Sequence, residues 1–370
     1  MRNGVTIASW LWLLLCPFIA AGIVNAAPVT GQSPLAITKV GVDRKTFNLS
    51  SGEQTVMRYE TNQQADIRVI VYDRLGQEVR SFDQEQAEPG IYKTTWDGRD
   101  SDGKIPHGEV FLYVIEAKSN NEHIVYNPAE DTGGQVVQPQ EFTFDKKTGH
   151  IEYVLPKACM VRMRVGLKQG MLAVTIMDWQ PQSAGRHTLE WEGKDVSGKM
   201  NLLAHPDLEL NLTCYTLPAN TIIATGTTIP FKPEKNVGSK ATLHHRLWAT
   251  EGKYIHYQHD TRSCYEPRFS VLFPDKSKES SPEKVPTVSG RTPIRVELDK
   301  RDMQDLINKR FEIMLFVDGI FVFEMEEGSS PFTFYWDTKG FTKGSHIVTV
   351  NIMSYDDHIG VVSREVIVGD

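Results

Sequence analysis

Apolar residues alternate with polar ones along most of this chain, and this period of two constrains the fold more than any other feature. A strand places successive side chains on opposite faces of a sheet, so short alternating runs indicate half-buried β-strands. The runs are 67–73, 110–117, 159–167, 172–179, 208–216, 311–319 and 346–354. One short, charged helix is predicted within 298–311. Gly, Asp, Asn and Pro bound the runs, which predicts an all-β fold of antiparallel β-sandwiches.

One segment of the chain recurs. WDGRDSDGK begins at Trp96 and WEGKDVSGK begins at Trp191, with Trp, Gly, Asp, Gly and Lys in register. The two tryptophans are separated by about the length of one β-sandwich domain, which is about 100 residues. A third, looser copy places Trp336 before Asp337. We therefore expect three sandwiches in a row, each with a buried tryptophan that supports its core.

The first copy holds three aspartates, which raise three alternatives: a calcium loop, a catalytic cluster or a turn. Calcium needs oxygen ligands at fixed positions. The second copy has Glu192 and Ser197 in place of Asp97 and Asp102, yet it keeps both glycines. Turns favour Gly and Asp, because these residues accept positive φ or bond their own backbone. The pattern therefore favours a turn at Asp97, Asp100 and Asp102.

These motifs resemble the immunoglobulin-like (Ig-like) domain of the flagellar hook-capping (FlgD-type) family, a module also found repeated in exported bacterial proteins. The resemblance covers 38–120, with a more degraded copy at 140–228 and a generic bacterial Ig-like domain at 266–370. The matching residues are Tyr72, Asp73, Gly76, Pro89, Gly90, Trp96, Asp97, Gly98, Asp100, Gly103 and Gly108. It implies tandem Ig-like sandwiches that scaffold or bind and have no catalytic residues of their own. A flagellar role is not implied.

The N-terminus predicts export. One arginine precedes an apolar run that ends in small residues at Ala26, which is the pattern of a secretory signal peptide over 1–26. The alternatives are an uncleaved anchor, which Pro17 disfavours, and a lipoprotein cut at Cys16, which the bulky Leu15 disfavours. No later segment is apolar for long enough to cross a membrane. We expect a mature chain without a membrane span, in the periplasm or at the cell surface.

Cleavage would leave three cysteines, Cys159, Cys214 and Cys264. An oxidising compartment allows them one disulfide and one spare thiol. Strand alternation directs Cys159 and Cys214 to an apolar face of the same domain. A bridge between these two would stabilise the domain by about 2–4 kcal/mol. The alternative is a pair of buried thiols that pack as small hydrophobic groups.

Residues 229–265 form the part of the chain that no Ig-like copy explains, and we predict a His-rich and aromatic-rich linker there. The candidate metal ligands are His244, His256 and His259, and the candidate docking residues are Trp248, Tyr254 and Tyr257. Histidine is a common ligand of zinc and copper, and aromatic side chains anchor many protein interfaces. Metal binding, contact with a partner's haem, and a linker or docking surface are the alternatives. The lack of HExxH and CxxC motifs favours the last.

The net charge and the lack of known catalytic motifs restrict the classes of function that the sequence predicts. A net charge of −7 gives no basic surface for nucleic acid. The sequence holds no GxSxG, no complete SxxK set and no P-loop, so we predict neither an enzyme nor a cofactor. The leading expectation is a non-catalytic exported scaffold that binds a protein or polysaccharide of the cell envelope. The alternatives are an accessory subunit of an exported enzyme or electron-transfer complex, with 230–265 as its docking or metal-handling element, and an enzyme in its own right.

Overall fold

The computed structural model describes residues 33–74, 76–106, 108–119, 122–226, 266–274, 285–354 and 358–369. In these residues almost all regular structure is β-strand, arranged in six sheets around three main hydrophobic cores. The predicted all-β fold of tandem antiparallel β-sandwiches is confirmed. The predicted signal peptide and the linker 229–265 lie outside the described residues.

The first sandwich packs a three-stranded sheet against a larger one. The small sheet runs β1 (Ile37–Val42), β3 (Thr55–Thr61), β6 (Gly90–Trp96). The large sheet runs β2 (Thr46–Asn48), β16 (Thr221–Thr225), β7 (Val110–Ser119), β4 (Ala65–Tyr72), β5 (Glu78–Ala87), and β8 (Glu122–Tyr126) also pairs with β7. Every pairing is antiparallel except that of β2 with β16. The core between the two sheets holds Phe47, Met57, Val69, Trp96 and Phe111.

Strand β16 belongs by pairing to the first sandwich, although its residues follow the second sandwich along the chain. The sequence places 221–225 in the second domain, 140–228, but the strand pairs with the start of β7 in the first sandwich. Ile222 enters the first core, and Ile223 on the opposite face packs against the second sandwich. A short strand that is apolar on both faces does not reveal which sheet it completes. Alternation therefore does not assign 221–225 to one sheet or the other.

The second sandwich also has two sheets. The first of them runs β10 (Glu141–Phe144), β11 (His150–Leu155), β14 (Gly185–Glu190). The second runs β13 (Leu172–Gln182), β12 (Cys159–Leu167), β15 (Leu208–Thr216), β9 (Val136–Val137). Strand β12 lies between two neighbours, and its residues from Cys159 to Val165 are buried on both faces. Cys159, Val161, Met163 and Val165 of β12 form part of the sandwich core. Met160, on the opposite face of the strand, is buried in a separate cluster with residues of the first sandwich.

The third sandwich completes the described chain. Its smaller sheet runs β17 (Phe269–Leu272), β19 (Arg291–Leu298), β22 (Phe332–Asp337). Its larger sheet runs β18 (Thr287–Val288), β24 (Ile359–Val368), β23 (Gly344–Ser354), β20 (Phe311–Val317), β21 (Ile320–Met325). The helix α1 (Lys300–Lys309) connects β19 to β20, as predicted. Its Leu306 is buried in the third core. Met303, one turn earlier, also packs against this core, so two apolar side chains fix the helix on the sandwich.

Candidate binding site at the junction of the first two sandwiches

The tryptophan of each predicted copy lies in a core, which confirms the expectation for all three. Trp96 and Trp336 are each 1% exposed, and Trp191 is 8% exposed. The indole Nε1 of Trp96 donates to the carbonyl of Arg99 at 2.9 Å, and that of Trp191 donates to the carbonyl of Lys194 at 3.1 Å. The first two tryptophans therefore brace the turn that follows them in the same way.

The aspartates of the first copy bond their own turn. Asp100 accepts hydrogen bonds from the backbone nitrogens of Asp102 and Lys104 at 2.9 and 2.8 Å. Asp97 accepts one from the nitrogen of Arg99 at 3.1 Å. These are side-chain-to-backbone bonds of the kind that stabilise tight turns. The prediction of a turn is confirmed.

The two sequence-paired cysteines lie on neighbouring strands. In the register of β12 and β15, Cys214 is opposite Val161, and Cys159 is opposite Thr216. Both are buried and are free thiols in the structure. Burial raises the pKa of Cys159 to about 11 and that of Cys214 to about 12. Buried, protonated thiols are poor nucleophiles. The disulfide between Cys159 and Cys214 stays a prediction.

The sequence-predicted metal and docking residues cannot be placed. His244, His256, His259, Trp248, Tyr254 and Tyr257 lie outside the described residues. Within the described ranges, no group of three or more His, Cys, Asp or Glu side chains is arranged to hold a metal ion. No helix in those ranges is both long and apolar enough to cross a bilayer.

The first two sandwiches meet through a continuous apolar junction. Ile70 and Leu112, on the outer face of the first large sheet, belong to one buried cluster with Met160 and Trp179 of the second sandwich. Trp179 lies 4.9 Å from the ring of Tyr215, measured between centroids. Apolar area buried in this way stabilises an interface by about 25 cal/mol per Å². The junction is therefore packed like a core.

Charged residues are buried beside this junction. Arg162 and Arg164 of β12 are 6% and 8% exposed, and the guanidinium of Arg162 stacks 4.6 Å above the ring of Trp179. Burial raises the pKa of Asp178, and burial followed by the charge of Asp178 raises the pKa of Glu266 to about 7. The charges of Arg164 and Arg162 lower the pKa of both carboxyls. Buried charges require such partners.

Glu266 is further fixed by a hydrogen bond. The hydroxyl of Thr175 on β13 donates to its carboxylate. The first described residue after the linker is thus attached to the second sandwich. Sequence reasoning missed this cluster, because arginines at alternate positions of a strand ordinarily indicate a solvent-facing side.

The second and third sandwiches are joined by a reciprocal amide contact. The side chain of Asn351 on β23 donates from Nδ2 to the carbonyl of Leu172 at 2.9 Å. Its Oδ1 accepts from the nitrogen of Leu172 at 2.8 Å. Asn351 is 1% exposed, so both bonds are shielded from water. A pair of buried bonds of this kind fixes orientation as well as distance.

A cleft of about 610 Å³ opens where the first two sandwiches meet. Its walls come from the start of β2, the segments before β9 and β12, the β13–β14 connection and the crossover from β15 to β16. Lys45 donates from Nζ to the carbonyl of Ala219 at 3.4 Å. The crossover is held by the nitrogen of Leu217, which donates to the carbonyl of Ala158 at 2.8 Å. Because five separate segments form this cleft, no local sequence motif predicts it.

Comparison with known proteins identifies one domain. Residues 45–122 match the family of FlgD Ig-like domains, which covers most of the first predicted copy. No curated protein sequence matches the chain. An Ig-like domain of this type fits a non-catalytic binding or scaffold role.

The similar solved structures are distant. A tetra-tandem repeat in the extending region of a large adhesion protein is 11% identical, over 91% of this chain and 74% of that chain, with a TM-score of 0.21. Fibronectin(III)-like modules of Clostridium thermocellum CbhA are 10% identical, over 89% and 93%, with a TM-score of 0.19. A bacterial ice-binding adhesin is 10% identical, over 91% and 99%, with a TM-score of 0.18. At these scores the likeness carries no argument about function.

Proposed function

We propose that this chain is an exported, non-catalytic scaffold that binds a protein or polysaccharide of the cell envelope. The observation that carries the proposal is the packed junction, in which Trp179 and Met160 of one sandwich are buried against Ile70 of another. Sandwiches fixed in this way present their loops and edges in a constant arrangement. A constant arrangement is what a scaffold supplies to its partners.

The chemistry of the described titratable groups supports a role without catalysis. Asp97 and Asp100 are engaged in turn bonds, and the thiol of Cys159 has a raised pKa that makes it unreactive. Asp178 and Glu266 lie buried beside Arg162 and Arg164, whose charges lower the pKa of both carboxyls against the effect of burial. We infer no reaction from these groups.

We also propose that 140–228 is a degraded FlgD-type copy and that 266–370 is a generic bacterial Ig-like domain. The shared indole-to-carbonyl bonds of Trp96 and Trp191 support the first statement. Gly98 and Gly193, two residues after those tryptophans, have φ values of 80° and 76°. Matching positive φ at equivalent positions supports a common turn in both copies.

A second candidate function is an accessory subunit of an exported enzyme or electron-transfer complex, with 230–265 as its docking or metal-handling element. One observation favours it: Glu266, which directly follows that segment, is anchored to β13 through Thr175. A segment that is followed by an anchored residue is suited to present a docking surface at a fixed place.

An affinity experiment on cell-envelope extract separates the two candidates. The mature chain, 27–370, and a variant lacking 230–265 are immobilised side by side, and bound partners and metal content are measured. The scaffold proposal expects both forms to retain the same partner without stoichiometric metal. A partner lost together with 230–265, or copper or zinc bound in stoichiometric amount, would favour the accessory subunit.

A further inference from the structure

The cleft between the first two sandwiches has walls that are fixed before any ligand arrives. The nitrogen of Gly134 donates to the carbonyl of Thr216 at 2.7 Å, and the nitrogen of Ala219 donates to the hydroxyl of Thr132 at 2.9 Å. Gly133 has a φ of 96°, and a Cβ there would lie 2.8 Å from the nitrogen of Pro218. Rigid walls reduce the entropy that a ligand must lose with its site.

The charge of the cleft has one sign. Among the described residues that line it, Lys45 and Lys157 are the charged side chains, and no Asp or Glu is present. The whole chain carries a net charge of −7, so a cleft with two lysines and no carboxylate departs from the average surface. Clefts lined by one sign of charge concentrate ligands of the opposite sign. The ligand should therefore be an anion.

The uncharged lining is rich in hydroxyl groups. Thr46, Thr132, Thr216, Thr221 and Ser183 all line the cleft. Thr221 is 3% exposed, and its hydroxyl has no hydrogen-bond partner among the described residues. That hydroxyl is buried, and those of Thr132 and Thr216 donate within the walls to the carbonyl of Pro128 and to Oε1 of Gln135. Thr46 and Ser183 therefore supply the hydroxyls that are available to a ligand. The hydroxyls of Thr46 and Ser183 complement a ligand that itself carries hydroxyls.

We propose that this cleft binds a small acidic saccharide, whose carboxylate is paired by Lys45 and Lys157 and whose hydroxyls meet those of Thr46 and Ser183. The volume of about 610 Å³ is within the range of small-ligand sites. This inference rests on the proposed function and names the class of polysaccharide that the scaffold recognises. None of the described residues that line the cleft is aromatic, so the carboxylate is the main recognition element.

The test is calorimetric titration of the full mature chain with digalacturonate and, in parallel, with the neutral α-1,4-linked galactobiose. We expect digalacturonate to bind and the neutral sugar to bind at least tenfold more weakly. The variant Lys45→Gln/Lys157→Gln should lose roughly tenfold in affinity, as expected when two partly solvated ion pairs are removed. Both lysines are exposed, so the variant should fold normally, which thermal melting verifies.

The matched control is Lys93→Gln/Lys118→Gln, which removes the same charge from exposed positions outside the cleft. It should bind digalacturonate within twofold of the unmodified chain. Equal binding of the acidic and neutral sugars, absence of binding, or equal losses in both lysine pairs would each overturn the proposal. Displacement by equimolar inorganic phosphate would show that the cleft selects charge alone, and would overturn its saccharide part. Failure here with an envelope partner still captured would leave the scaffold function standing.

Discussion

At the residue scale, two glycines of one turn differ in a way that can be measured. Gly98 and Gly103 have φ values of 80° and 78°, so a side chain at either is strained. A Cβ at Gly98 would lie 1.9 Å from Cδ2 of Leu49, whereas one at Gly103 would meet nothing within 4 Å. We expect Gly103→Ala to cost about 1–2 kcal/mol, from backbone strain alone.

Gly98→Ala should cost about 1–3 kcal/mol more, because the added methyl group also overpacks the first core. Urea unfolding followed by tryptophan fluorescence gives the two free energies. Gly103→Ala serves as the control for the backbone contribution. Equal losses in the two variants would mean that Leu49 moves aside freely and that the turn is not packed against the core.

The buried carboxyl of Glu266 predicts a pH dependence. Its pKa in the fold is raised to about 7 from the usual 4.5, first by burial and then by the charge of Asp178. A carboxyl with a raised pKa favours folding most when protonated, so its contribution is complete below about pH 4.5 and is lost as the pH rises through about 7. Glu266→Gln should therefore gain stability relative to the unmodified chain over that interval.

The measurement is the free energy of unfolding of both chains between pH 4 and pH 8. The exposed Glu85→Gln controls for the loss of a carboxyl as such. A difference between Glu266→Gln and the unmodified chain that stays constant with pH would contradict the assignment. It would place Glu266 in contact with solvent.

At the element scale, β16 allows a test of which sandwich it stabilises. Ile222 is completely buried in the first core, and Ile223 is 2% exposed at the junction. We expect Ile222→Ala to destabilise the first sandwich by about 2–5 kcal/mol. Hydrogen exchange should then accelerate in β7, while β12 keeps its protection.

The neighbouring Ile223→Ala is the control, because it removes the same kind of side chain from the opposite face of the strand. Its effect should appear where the junction packs, in β12 and β13 as well as β7. If Ile222→Ala released β12 in preference to β7, strand β16 would belong to the second sandwich as the sequence predicts.

Local sequence signals account for most elements but not for their assembly. Alternation located seven strands, and the repeated motif located the buried tryptophans and the turn at Asp100, because these features depend on neighbours along the chain. The sheet of β16, the burial of Arg162 and the cleft beside Lys45 depend on contacts between distant segments. Alternation of apolar and polar residues indicates that one face of a strand is buried, but it does not indicate which other segment covers that face.

At the scale of the whole molecule, a scaffold requires a junction that does not flex. Ile70 is 3% exposed in the cluster that joins the first two sandwiches, and it lies on the outer face of its own sheet. Ile70→Asp should therefore loosen the junction by burying an unpaired charge, while both cores stay folded. Val125→Asp, at a position that is 47% exposed, is the matched control and should change nothing.

Pulsed electron paramagnetic resonance tests the rigidity of this junction most directly. Spin labels at Lys93→Cys and Lys147→Cys, both exposed positions, report the distance between the first two sandwiches in a Cys264→Ser background. The buried Cys159 and Cys214 have raised pKa values and should stay unlabelled. We predict one narrow distance distribution, which Ile70→Asp broadens. A broad distribution in the otherwise unmodified chain would contradict the claim that these sandwiches form a fixed scaffold.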